Sequence, residues 1–140
     1  MRNASPYLFV TTGIAWLENK TLEQQVLGPP GLVVIVKNID ELMHVAKSLE
    51  GQITCTLHLD QADHHVASQL LPVLERKAGR ILANSFPTGV EVCDAMVHGG
   101  PYPASTNFGA SSVGTLAIWR FMRPVCYQKI AEDLLPVDLR

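Results

Sequence analysis

The 140-residue chain lacks the sequence features that usually indicate a membrane protein or a nucleic-acid-binding protein. Its continuous apolar runs, such as "LVVIV" at 32–36, are far shorter than the roughly 18 residues that a membrane-spanning helix needs. Lys and Arg number only 11 and are scattered singly, and the net charge is −2. Without a basic stripe the sequence predicts no nucleic-acid binding, and we expect no membrane partner either.

Cysteine is also scarce. The three cysteines, Cys55, Cys93 and Cys126, are odd in number and far apart, which favours reduced thiols over a disulfide framework. The beginning of the chain, "MRNASPYLFVTTGIAW", has no long apolar region and no small-residue cleavage site of the kind that a signal peptide carries. These features predict a cytoplasmic protein.

Nucleotide-binding motifs are missing as well. The segments "GPPG" at 28–31 and "HGGP" at 98–101 have neither the strand–GxGxxG–helix context of a dinucleotide fingerprint nor the lysine of a phosphate loop. We interpret both as turns that need unusual backbone angles.

What is present is an alternation of apolar strands and amphipathic helices, in a chain with 47% hydrophobic residues. Strands are predicted at 31–37 (buried on both faces), 53–59 and 80–84, and helices at 38–51 and 61–79. Asp40 is the expected N-cap of the first helix, Pro72 is expected to kink or split the second, and Gly79 to cap it. The order predicts an α/β fold, βαβαβ with a mostly parallel sheet and covering helices.

A long segment, "FPTGVEVCDAMVHGGPYPASTNFGASSVGT" at 86–115, follows the third strand. It is too apolar for a disordered linker, and it leaves from the carboxyl end of a strand, where sites gather in parallel sheets. We therefore expect an ordered, packed loop that contributes to a site. Beyond it the sequence predicts a helix at 113–122, a last strand at 125–128 and a surface tail, "EDLLPVDLR".

Two groups of residues suggest chemistry but also have simpler interpretations. The histidines and aspartates of "HLDQADHHV" at 58–66 could hold a metal, although their irregular spacing favours a polar turn that leads into a helix. Cys93 and His98 could form a thiolate–imidazole pair, although a buried inert thiol and a loop-stabilising histidine are favoured. We predict neither a metal site nor a catalytic residue from them.

The run "KAGRILANSFPTGVEVCDAMVHGGPYPAST", continued by "SSVGTLAIWRFMRPVCYQ", closely resembles the C-terminal end of one aldehyde dehydrogenase subgroup. Its members prefer NADP and oxidise α-ketoglutaric semialdehyde (2,5-dioxopentanoate), with relatives that act on fatty aldehydes. "LEQQVLGPPGLVVIV" resembles the superfamily's "EEVFGP" segment, and "LEGQITCTLH" the strand that follows. The resemblance covers nearly the whole chain and implies that residues 1–140 are part of a catalytic domain.

The resemblance also implies roles for individual residues. Gln25 and Leu27 take the cofactor-contacting positions of "EEVFGP", where the family has a glutamate that contacts the ribose and a phenylalanine near the nicotinamide. Because Gln25 lacks the charge and Leu27 the flat ring, a looser cofactor geometry is implied. The loop corresponds by position to the family's substrate pocket, for which the expected lining residues are Thr88, Gly89, Val90, Glu91 and His98.

Family enzymes attack the aldehyde with a cysteine and pass hydride to NADP. That nucleophile, the general-base glutamate and the nucleotide-binding domain lie upstream of the part that this chain resembles. The implied function is thus a segment of an aldehyde dehydrogenase that is inactive alone. The alternatives are a non-catalytic interaction module, which would associate through the face of the truncated domain, and a degenerate remnant.

Overall fold

The computed structural model describes residues 5–87, 89 and 93–140. Its strands and helices are, in chain order, β1 (Tyr7–Thr12), α1 (Gly13–Glu18), β2 (Pro30–Ile35), α2 (Ile39–Ser48), β3 (Gln52–Leu57), α3 (His64–Leu74) and β4 (Ala78–Ala83). Short 3₁₀ turns occur in the segments between and after these elements. No helix among the described residues is long and apolar enough to cross a membrane.

The four strands form two separate parallel pairs, β1 with β2 and β3 with β4. Tyr7 lies opposite Pro30 in the first pair, and Gln52 lies opposite Ala78 in the second. The α/β class is confirmed, as is the unit that runs from β3 through α3 to β4. The other predicted unit, which joined β2 to β3 in the same sheet, is wrong, because β2 pairs with the unpredicted β1.

The core lies on the β3–β4 pair, between this pair and the two longer helices. The buried residues Ala46, Leu70, Val73 and Leu74 come from α2 and α3, and they pack against half-buried side chains that include Cys55, Leu57 and Ile81. The β1–β2 pair stands outside this core, with Leu8 on β1 72% exposed and Val33 and Ile35 on β2 40% and 58% exposed. The prediction that the 31–37 strand is buried on both faces is therefore wrong.

The ends of the helices differ from those predicted. Asn38, not Asp40, caps α2, because Asn38 is extended and its Oδ1 accepts a hydrogen bond from the Glu41 amide at 3.0 Å. Pro72 lies in the last turn of α3, which continues to Leu74 without being split. Gly79 belongs to β4 rather than to a helix cap.

The C-terminal part forms less regular structure than predicted. Residues 115–121 form 3₁₀ turns instead of a helix, and Gly114, with φ of +81°, precedes them without a side-chain cap. Their large side chains, among them Trp119 and Phe121, remain exposed, so that no packing stabilises an α-helix. No strand forms at 125–128 in the described chain, where no partner strand is available. The final residues lie on the surface, as predicted.

Candidate functional site

Asn84 fixes the point at which the long loop leaves β4. Its side-chain amide donates to the Leu59 carbonyl at 2.9 Å, and its Oδ1 accepts from the Leu59 amide at 2.8 Å. Its own backbone amide donates to the Leu57 carbonyl at 2.8 Å, and its φ is +51°. Asparagine tolerates this left-handed conformation better than most residues. The bonds extend the pairing of β3 and β4 past the end of the strands.

The first limb of the loop is held by two neighbours. The Phe86 ring lies 5.2 Å from the His58 ring, centroid to centroid. Further along, the Gly89 carbonyl accepts a hydrogen bond from Nη1 of Arg80 on β4. The same nitrogen lies 4.0 Å from the Met96 sulfur, on the returning limb.

The returning limb reaches the opposite end of the strand pair. The Gly99 carbonyl lies so close to Gly79, near the start of β4, that a Cβ at position 79 would overlap it. Gly100 makes a similarly close approach to the carbonyl of Gln52, the first residue of β3. The loop therefore starts at the carboxyl end of β4 and comes back to its amino end, where only glycine allows backbones to touch this closely.

Two serines secure this return. The Ser111 hydroxyl, in a residue only 5% exposed, accepts from the His98 amide at 3.2 Å and donates to the Val113 carbonyl at 2.9 Å. The Ser105 hydroxyl accepts from the Gly100 amide at 3.2 Å and donates to its carbonyl at 2.7 Å. Hydrogen bonds and close backbone contacts thus hold the described parts of the loop at both ends of β4. The predicted packing of its apolar side chains is wrong, because Phe86, Tyr102 and Phe108 are 74%, 81% and 68% exposed.

A cavity of about 700 Å³ adjoins Gln25. Its lining is mostly polar and comes from the segment after α1, the start of β3 and the returning limb: Glu23, Gln24, Gln25, Glu50, Gly51, Gln52, Ile53, Thr54, Pro103 and Ala104. Gln25 therefore shares a cavity with the long loop, as a common site requires. Leu27 does not line it and is 89% exposed, next to the turn at Gly28, where φ is +147°.

Among the described loop residues, Pro103 and Ala104 line this cavity, whereas Gly89 and His98 do not. Gly89 lies at Arg80, and His98 is exposed and held through its backbone at Ser111. Thr88, Val90 and Glu91 lie outside the described residues. Pro103 and Ala104 were not predicted, because nothing local in "PYPAS" indicates that the chain path turns this limb toward Gln25.

The cysteines lie in different surroundings. Burial against the core raises the pKa of Cys55 above its ordinary value of 9.0, the opposite of what a nucleophilic thiolate needs. Cys93 and Cys126 are exposed, so the favoured interpretation of Cys93 as a buried thiol is wrong. Among the described residues no hydrogen bond joins Cys93 to the His98 side chain.

The segment 58–66 forms a helix start. The Asp63 carboxylate accepts from the Asp60 amide at 2.9 Å, and the Asp60 carboxylate caps the 3₁₀ turn that leads into α3. Both carboxylates therefore cap the start of the helix. This is the polar turn that the sequence favours over a metal site. Within the described ranges no group of three His, Cys, Asp or Glu side chains is arranged to hold a metal.

Comparison with known proteins identifies homologues. No family model matches the chain. It is 55% identical over 126 residues to alpha-ketoglutaric semialdehyde dehydrogenase 2 of Azospirillum brasilense, a match that covers 90% of this chain and 24% of the relative. It is 48% identical over 138 residues to alpha-ketoglutaric semialdehyde dehydrogenase of Acinetobacter baylyi, and this match covers 98% of this chain and 26% of the relative.

Identity at this level over nearly all of the chain extends far beyond any short motif. The chain spans about a quarter of the length of these relatives, so it corresponds to part of a domain. The α/β arrangement of short parallel strand pairs with covering helices agrees with this. The chain therefore belongs to the aldehyde dehydrogenase family, as a segment that matches α-ketoglutaric semialdehyde dehydrogenases.

Proposed function

We propose that the chain is a catalytic-domain segment of an NADP-dependent aldehyde dehydrogenase that oxidises a semialdehyde such as 2,5-dioxopentanoate to the carboxylate. The observation that carries the proposal is the 55% identity to an enzyme named for this substrate. In the complete enzyme the segment would supply one wall of the aldehyde pocket through the loop that follows β4. Thr88, Gly89, Val90, Glu91 and His98 remain the proposed lining residues.

The cavity beside Gln25 suits only part of a nicotinamide dinucleotide. Side-chain amides and the Thr54 hydroxyl can hydrogen-bond the hydroxyl groups of a ribose. The Glu23 and Glu50 carboxylates lie in the same lining and would repel phosphate groups. Gln25 would thus hold the ribose next to the nicotinamide. The ring contact that the resemblance implies for Leu27 has no support in this cavity, because Leu27 lies outside its lining. The cofactor, when bound, accepts the hydride from the substrate.

We further propose that these 140 residues are inactive alone, because the reactive cysteine lies outside them. Cys55 is kept protonated by burial, and exposed Cys93 lacks a described base partner. What the segment contributes is shape and hydrogen bonds, as an ordered wall that positions the aldehyde and excludes water. Such positioning supports catalysis without supplying a reacting group.

A chimera tests this proposal. The homologous segment of the Azospirillum brasilense relative is replaced by this chain, and NADP reduction with 2,5-dioxopentanoate is measured for the chimera, the unaltered relative and the 140-residue chain. We expect turnover by the first two and none by the third. A folded but inert chimera would contradict the proposed role. If the chain alone showed turnover that disappeared with Cys93→Ala, the proposal that the nucleophile lies outside these residues would be contradicted.

A second candidate is an interaction module, favoured by the bare apolar side chains of the β1–β2 pair, such as Leu8, Phe9 and Val10. Light scattering and binding of a hydrophobic dye test it. If the chain is an interaction module, we expect a defined oligomer that no longer binds the dye, because the apolar side chains are covered. A monomer that binds the dye favours a segment whose apolar surface is covered in the longer enzyme.

A further inference from the structure

Arg80 occupies an unusual position in β4. It is half-buried, and its side chain reaches the long loop. Nη1 donates to the Gly89 carbonyl and lies 4.0 Å from the Met96 sulfur. Nε is fully buried and has no hydrogen-bond acceptor among the described residues.

The cost of partly burying the Arg80 guanidinium has to be offset by the contacts that it makes. Burial of a charged donor is unfavourable unless its hydrogen bonds are satisfied. The two contacts of Arg80 fall on either side of the proposed pocket positions 90 and 91, with Gly89 before them and Met96 after them. One side chain on a strand therefore ties both limbs of the loop to the same point.

We propose that Arg80 is a positioning residue that fixes the pocket-forming loop on the β3–β4 pair and thereby sets the affinity for the aldehyde. The effect on affinity rests on the proposed function, whereas the effect on the loop does not. Nη1 makes both contacts, so the charged donor at the end of the side chain carries the role. A lysine at this position would keep a charged donor but not the planar group that surrounds it.

Amide hydrogen exchange in the 140-residue chain tests the effect on the loop. The informative amides are those of Met96, bonded to the Cys93 carbonyl, and His98, bonded to Ser111. With Arg80→Met we expect exchange at Met96 about tenfold faster, the size that loss of a charged hydrogen bond gives a local opening. Arg80→Lys should restore part of the protection.

Reference amides and a matched variant separate a local effect from general destabilisation. The Gln52 and Asn84 amides, bonded to the Lys77 and Leu57 carbonyls, report on the β3–β4 pair itself and should not change. Arg76→Met is the control, because Arg76 also donates to a backbone carbonyl, that of Pro72, but has no hydrogen bond to the described residues of the loop. Equal acceleration at all amides, or none at Met96, would overturn the proposal. Should Arg80→Met fail to fold, Arg80→Lys and Arg80→Gln decide it by the same criterion.

The chimera with the Azospirillum relative tests the effect on affinity. Arg80→Met is expected to raise the KM for 2,5-dioxopentanoate about fivefold or more and to leave kcat within about twofold, because uniform binding is lost. A fall in kcat at constant KM would overturn the positioning role. An inactive chimera with Arg80 intact would instead refute the proposed function, while the exchange data would still decide whether Arg80 holds the loop.

Discussion

Replacement of Asn84 provides a direct test of how the loop begins. Asn84→Ala removes both side-chain hydrogen bonds to Leu59 and places alanine at a φ of +51°. Each bond contributes about 0.5–1.5 kcal/mol, and the lower half of that range applies because the bonds are exposed. The left-handed conformation adds about 1 kcal/mol for alanine, which lacks the short polar side chain by which asparagine tolerates it. We expect the free energy of unfolding to fall by about 2–3 kcal/mol.

Asn84→Gly separates the two contributions. Glycine also loses the hydrogen bonds, but it adopts positive φ without steric cost. We therefore expect a loss of only about 1–2 kcal/mol, smaller than that of alanine by about 1 kcal/mol. Urea denaturation followed by circular dichroism gives both values, provided that the slopes of the transitions are equal.

The test depends on which of the two variants loses more free energy of unfolding. If glycine destabilises as much as alanine, the left-handed conformation carries no measurable cost and that part of the reasoning is refuted. If alanine costs less than about 0.5 kcal/mol, the bonds to Leu59 contribute nothing net either. A change in the exchange rate of the Leu59 amide, which donates to Asn84 Oδ1, provides an independent check.

Two further predictions concern the strand pair on which the loop lies. Gly79→Ala forces a Cβ into the Gly99 carbonyl and should lower the free energy of unfolding by about 1–3 kcal/mol, as overpacking does, when measured by urea denaturation. Gly89→Ala is the control, because a Cβ at Gly89 meets nothing within 4 Å; an equal loss in both variants would contradict the close-approach argument. The raised pKa of Cys55 means that the folded state keeps its proton longer than the unfolded state, so stability is fully present below pH 9.0 and decreases as the pH rises through the folded pKa. Cys55→Ala should flatten this decrease in thermal unfolding measured from pH 8 to pH 11; an unchanged slope would refute it.

The elements that the sequence predicts well are those with a strong apolar period. The β2, α2, β3, α3 and β4 segments were all expected, with ends that differ by a few residues, because each combines an apolar pattern with Gly, Pro or Asn at its boundaries. Local pattern does not encode which strands pair. β2 pairs with β1 rather than with β3, and β1, "YLFVTT", was not predicted as a strand.

The site was less predictable than the fold. The apolar content of the loop led us to expect a packed segment, but its described parts are held by hydrogen bonds of Asn84, Ser105 and Ser111 instead. Gln25 was identified from the resemblance to "EEVFGP". The meeting of Gln25 with Pro103 and Ala104 depends on the path by which the loop returns to the amino end of β4. Such a path is set by contacts between residues far apart in sequence, of which a single sequence carries no local sign. The failed helix at 113–122 has a related cause, since apolar residues form a helix only where a surface is available to pack against.

The division of the strands into two parallel pairs has a consequence for how the chain folds. Each pair is closed within its own part of the chain, Tyr7 with Pro30 and Gln52 with Ala78, so that neither pair needs the other in order to form. The core residues belong to the second pair and its helices, which makes that half the more stable unit. The helix α2 contacts α1 on one side and α3 on the other. We therefore expect the β3–β4 half to fold first, and the β1–β2 half to dock onto it through α2.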